Sequence, residues 1–216
     1  MKGLWVGLGV VGVFILVLLI AGGSYVSAKN QMVVKDQDVK AAFSNIDVDL
    51  QRRADLIPNL VATVKGAADF EKSTLEAVVN ARASVGQLKV TPEVLNDPAA
   101  FANFEKAQAS LSSALSRLLA VAEAYPQLKA TEAFRDLAAQ LEGAENRITV
   151  ARGRYIKTVE AYNVSVRQFP NNLTAMIFGY KPKPNFTVAN EKEISVAPKV
   201  DFGKPAAPAP VPAPAK

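Results

Sequence analysis

Glu142 and Glu145 stand three residues apart, Arg152 follows seven residues after Glu145, and Glu123 lies upstream. On a helix Glu142, Glu145, Thr149 and Arg152 share one face, and a carboxylate from a neighbouring helix would complete half of a di-iron centre of the helical-bundle type. Such a centre needs Glu-x-x-His pairs, and the chain has no histidine and no cysteine. Their absence excludes disulfides, thiol nucleophiles, Cys- or His-based zinc sites and imidazole acid–base catalysis. Paired carboxylates doing general acid–base work remain open. Nothing in the sequence supplies a nucleophile–base pair or an oxyanion hole beside them. The expectation is therefore a protein that is not an enzyme and carries no metal or cofactor.

A second polar set lies earlier. Asp49 and Arg53 are four apart with the acid first, the orientation that favours a pair along one helix. Asp55 and Asn59 repeat that spacing on a neighbouring face. These groups flank apolar stripes, where charges meet across a helix interface and decide which helices pair, as in coiled coils.

The stripes define the elements. From Thr131 to Phe169 apolar residues recur at steps of three or four: Phe134, Leu137, Leu141, Ala144, Ile148, Ala151, Tyr155, Val159, Tyr162, Val166 and Phe169. That spacing predicts one long amphipathic helix, capped by Thr131 and stopped by Pro170, which must bury its seam against others. Val39, Phe43, Ile46, Leu50, Ala54, Ile57, Leu60, Val64 and Ala68 predict another, with Pro58 inside it as a source of a kink. Ser73 with Glu76 reads as a capping box opening a third helix, which carries Leu75, Val78, Val79 and Arg82 and fades at Gly86. Thr91-Pro92 and Asp97-Pro98 read as N-caps followed by proline. The next stripe runs Phe101, Phe104, Gln108, Leu111, Leu115, Leu118, Ala122, Tyr125 and ends at Pro126. Leu173 to Phe178 suggest a short last helix closed by Gly179. The expected fold is all-α, an up-and-down bundle of about four long helices over residues 29–180.

Residues 1–28 are expected to form a single transmembrane anchor. No charge occurs from Leu4 to Gly23, and twenty helical residues span roughly the 30 Å of a bilayer core. Trp5 and Tyr25 mark its ends and Phe14 its middle, aromatic rings favouring the headgroup level. The competing reading is a signal peptide cleaved after Val26-Ser27-Ala28, but secretory apolar cores are shorter. Gly3 and Gly7 offer a close-approach motif for a second span. Lys29, Lys35 and Lys40 after the span, against Lys2 before it, lean the bundle to the cytoplasmic side of the cell membrane. Residues 29–169 hold 18 Lys and Arg against 17 Asp and Glu, so no nucleic-acid partner is expected. Residues 181–216, rich in Pro and Ala, are expected to be an extended, disordered spacer.

The run from Ile46 to Val61, with Asp49, Arg53, Asp55, Pro58 and Asn59, resembles the first signature of LemA family proteins. Similar matches are Glu123-Ala124-Tyr125-Pro126-Gln127-Leu128, then Leu141-Glu142-Gly143-Ala144-Glu145-Asn146-Arg147-Ile148, Ala151-Arg152 and Tyr155. Phe169-Pro170, Phe178-Gly179-Tyr180-Lys181-Pro182 and Pro198-Lys199-Val200-Asp201-Phe202 complete the resemblance. Ala54 stands where that pattern has Tyr and Phe70 where it has His, so no role resting on either side chain carries over. The resemblance implies a membrane-anchored bacterial helical bundle and no reaction. The expected function is a scaffold or adaptor presenting a helical surface, with Asp49, Arg53, Asp55, Asn59, Glu123, Glu142, Glu145, Asn146, Arg152 and Tyr155 as its interhelical or interaction motif. The expected partners are the lipid bilayer and a protein partner or second copy. The alternative is a sensory bundle holding a small ligand near Glu123 and Glu142.

Overall fold

The structure, a computed structural model, describes residues 2–67, 70–88 and 91–186. Ala68 and residues 187–216 of the Pro/Ala-rich segment, the Pro198–Phe202 match among them, lie outside that set. All regular structure among the described residues is helical: α1 (Lys2–Lys65), α2 (Lys72–Gly86), a 3₁₀ turn (Pro92–Asn96), α3 (Pro98–Ala122), α4 (Pro126–Lys129), α5 (Glu132–Arg167) and α6 (Asn171–Phe178).

The expected anchor segment and the first soluble helix are one element. Charge-free Val, Leu and Ile residues give way to the Val39–Val64 stripe with no break in α1, and Pro58 lies within it. Proline removes the donor that would meet the carbonyl of Ala54. That oxygen is supplied from outside, by Arg82 Nε of α2 at 3.3 Å. Trp5 and Phe14 are exposed, as are Leu8, Val10, Val11, Val13 and the apolar residues from Ile15 to Ile20. This is the one described helix long and apolar enough to cross a membrane, and no other described part of the chain covers its apolar stretch.

Helix directions follow from the contacts. Lys35 meets Ala161, Phe43 meets Tyr155, Asp49 meets Arg147 and Arg53 meets Glu145, so α1 and α5 run antiparallel. Phe43 also meets Phe101 and Phe104, and Arg53 meets Gln108 and Ser112, so α3 runs parallel to α1. Glu71 at the start of α2 pairs with Arg117 near the end of α3, which sets α2 antiparallel to α3. The result is the up-and-down arrangement that the stripes predict.

The stripes become the core. Val39, Phe43, Ile46, Leu50, Phe101, Phe104, Ile148, Tyr155, Val159 and Tyr162 form one buried cluster, on the side nearer the anchor. Ile57, Leu60, Val64, Val78, Leu111, Leu115, Leu118, Phe134 and Leu141 form a second, farther from it. Each large side chain so buried contributes about 1.5–3 kcal/mol, which is what holds the long helices side by side.

Several local expectations need correction. Ser73 does not cap α2; Glu71 occupies the N-cap position, and the Ser73 hydroxyl donates to the Glu71 carboxylate instead. Glu76 pairs with Lys72 one turn away. Thr91 makes no side-chain cap and opens only the 3₁₀ turn, whereas Asp97 accepts from the amides of Ala99 and Ala100 and Thr131 from that of Phe134. α3 ends at Ala122, and Pro126 begins α4 rather than stopping α3. Phe169 is 75% exposed and leaves the seam, because α5 has already ended at Arg167 before Pro170. Gly179, at φ 73°, closes α6 in the left-handed conformation that favours glycine. Finally, the compact unit runs on to Phe186: residues 181–186 are extended, as proline dictates, yet lie against the bundle, with Lys183 buried.

Candidate functional site: a polar layer between two cores

Arg53 sits at an inward position of α1, between Leu50 and Ile57, where the two apolar clusters meet. It has no solvent exposure. Its Nη1 donates to Ser112 Oγ at 2.7 Å and to Glu145 Oε1 at 2.5 Å, and its Nη2 donates to Gln108 Oε1 at 2.6 Å. Ser112 Oγ also donates to Glu145 Oε1 at 3.3 Å. One guanidinium thus ties α1 to α3 and α5 at one level. A buried charge is tolerated only when paired and hydrogen-bonded in this way.

Arg152 lies beside this layer. Burial and then the positive Arg53 lower its pKa, against Glu145 and Glu105, which raise it. Its guanidinium rests 5.0 Å from the centre of the Phe186 ring, a contact in which the ring face attracts the cation. The Nε atoms of Arg53 and Arg152 are buried with no hydrogen-bond partner among the described residues. Tyr155, wholly buried, stacks on Phe101 at 5.9 Å and donates through its hydroxyl to the carbonyl of Pro184 at 3.1 Å.

The extended residues 181–186 form a strap across the end of the bundle that holds Asp36 and Tyr162. Asn163 Nδ2 donates to the carbonyl of Lys183 and the Lys183 amide donates back to Asn163 Oδ1, at 2.9 and 2.8 Å. Lys183 Nζ reaches Asp36 at 2.8 Å and Asn96 at 2.9 Å, and Tyr162 donates to the carbonyl of Lys181 at 3.1 Å. The strap covers the Phe101–Tyr155 end of the core with Phe186.

The residues singled out from the sequence divide. Arg53 and Tyr155 are buried inside the bundle, and Glu145 and Arg152, partly exposed on α5, lie beside Arg53. Asp49 does not pair with Arg53; it meets Arg147 Nε of α5 at 3.3 Å. Asp55, Asn59, Glu142 and Asn146 are exposed. Glu123 pairs with Lys129 at the surface. The three glutamates considered as half of a metal centre are therefore not brought together, and no group of three or more potential ligands occurs among the described residues. Reasoning from sequence missed Ser112, Asp36, Asn96, Asn163 and Lys183. Gln108 carried a signal, being the one polar residue on an otherwise apolar stripe.

On the outer side of the α1–α5 pair an open groove is lined by Ala42, Asn45, Asp49, Asn146, Val150 and Arg154. Val48 and Val150 expose apolar surface along it.

A family model described as the LemA family matches residues 42–202. That range holds the polar layer and the strap and leaves out the apolar span. Magnetosome protein MamQ of Magnetospirillum gryphiswaldense is 29% identical over 168 residues, which cover 70% of this chain and 62% of that protein. Magnetosome protein MamQ 2 of Paramagnetospirillum magneticum is 27% identical with the same coverage. The chain thus spans less than two thirds of the length of these relatives.

Proposed function

The chain belongs to the LemA family, and on that premise we propose that it is a membrane-anchored, non-enzymatic scaffold or adaptor whose bundle presents a helical surface to a protein partner or a second copy. The observation that carries this reading is the continuity of α1 from Lys2 to Lys65. One rod holds both the apolar span and a wall of the bundle core, so the bundle stands at a fixed attitude to the membrane. The groove beside Val48 and Val150 runs along that same rod. The non-enzymatic reading is supported by the Nη atoms of Arg53, which are taken up by Glu145, Gln108 and Ser112. The ligand-binding alternative has less support, because Glu123 and Glu142 face outward. The lysine count after the span favours a cytoplasmic bundle, which a reporter fused after Lys216 would test.

Because the chain has no cysteine, Val48→Cys gives a unique attachment point for a photo-crosslinker in native membranes. A single adduct of defined size, lost on Val150→Asp, is expected. A chain that stays uncrosslinked and monomeric would overturn the proposal.

A further inference from the structure

We propose that α6 is an interfacial helix that lays its outer face into the headgroup–acyl boundary of the bilayer that α1 crosses. The inference goes beyond the scaffold role and rests on the anchor alone.

α6 is eight residues long and holds two buried side chains, Thr174 and Ala175. Phe169 just before it, and Leu173, Met176, Ile177 and Phe178 within it, are exposed; Met176 is 74% and Ile177 64% accessible. So dense an apolar patch on a short helix is covered by something in a working protein. What covers it is indicated by its height along α1. The apolar run ends at Gly23, and Tyr25 lies two residues beyond, at the level where an aromatic ring meets headgroups. The Phe178 ring packs on Tyr25 at 5.5 Å between centroids, and Lys29 Nζ lies 4.5 Å from the centre of the same ring. α6 is thus pinned to the point where the span leaves the hydrocarbon. Arg167 and Lys181, exposed on either side of α6 in the chain, supply the cations that an interfacial helix offers to phosphates. Gly179 then turns the chain back to the strap, so α6 and the strap hold the base of the bundle against the membrane.

The test uses the full chain, reconstituted in vesicles of phosphatidylcholine and phosphatidylglycerol. Met176→Cys, Ile177→Cys, Phe14→Cys and Ala133→Cys are each labelled with an environment-sensitive fluorophore. Positions 176 and 177 are expected to lose emission to lipids with a doxyl group near the headgroup, more than to lipids with it near the chain end. They should resist iodide. Position 133, at the far end of α5, should show the opposite behaviour. Quenching of 176 and 177 by iodide as strongly as 133, with no loss to doxyl lipid, would overturn the proposal. So would a disulfide between two copies of the unlabelled Met176→Cys chain, together with protection of the labelled one from both quenchers, which would assign the patch to a second chain. Phe14 separates the two claims: if its position escapes doxyl quenching the anchor itself has failed, whereas quenching at 14 without quenching at 176 and 177 sinks only the interfacial helix.

Discussion

Arg53 and Glu145 meet at 2.5 Å from opposite dielectric environments: the arginine side chain is wholly buried, while the glutamate side chain is 39% exposed. Removing either partner therefore has unequal consequences. Glu145→Ala strands a guanidinium with only neutral acceptors and should cost about 3 kcal/mol, the lower end for a broken buried pair because Glu145 is partly screened by solvent. Arg53→Met leaves a carboxylate that can turn to water and should cost less. Denaturant unfolding of the full chain in detergent micelles measures both, and equal losses would contradict the asymmetry.

Arg82 stands in for the backbone donor that Pro58 lacks. Arg82→Ala should cost about 1 kcal/mol, the typical net contribution of one hydrogen bond. In a Pro58→Ala background, where residue 58 regains an N–H for the Ala54 carbonyl, the same substitution should cost little. A double-mutant cycle reads the coupling; additive losses would show that Arg82 acts elsewhere.

The strap should loosen in acid. Burial works to raise the Asp36 carboxyl, but hydrogen bonds from Lys183 and Lys40, with their charges, outweigh it and hold the pKa below the ordinary aspartate value. A depressed carboxylate contributes stability above its unfolded pKa and loses it as pH falls through its folded pKa. The melting temperature of the parent should exceed that of Asp36→Asn at neutral pH, and the gap should close as pH falls below about 4. A gap independent of pH would show that the carboxylate charge is irrelevant.

At the alkaline end, burial, then Asp36 and Tyr180, push Tyr162 up to about 12, and burial pushes Tyr155 well above the ordinary phenol range. Raised phenols add stability that is complete below the unfolded value of about 10 and is lost as pH climbs through the folded values. Ultraviolet titration should find Tyr155 and Tyr162 resisting ionisation until the bundle opens. Tyr162→Phe should remove one of them and, by deleting the bond to Lys181, expose the strap to protease.

What the sequence determined by itself was the set of helices and their buried faces, because a stripe at steps of three and four is a local property of the chain. Phe101, Leu111, Leu141 and Ile148 are all core residues, as their spacing requires. It also disclosed the uncharged span. Only tertiary structure decided who pairs with whom. Arg53 has Asp49 one turn away in its own helix, yet takes Glu145, 92 positions distant, because α3 and α5 carry acceptors to its level and helical period says nothing of relative height. The strap was equally illegible: proline composition rules out a helix over Lys181–Phe186, but the grip of Asp36, Asn96 and Asn163 on Lys183 comes from three separate elements. α6 shows the same division, since its residues announced a helix and only its contact with Tyr25 set its height.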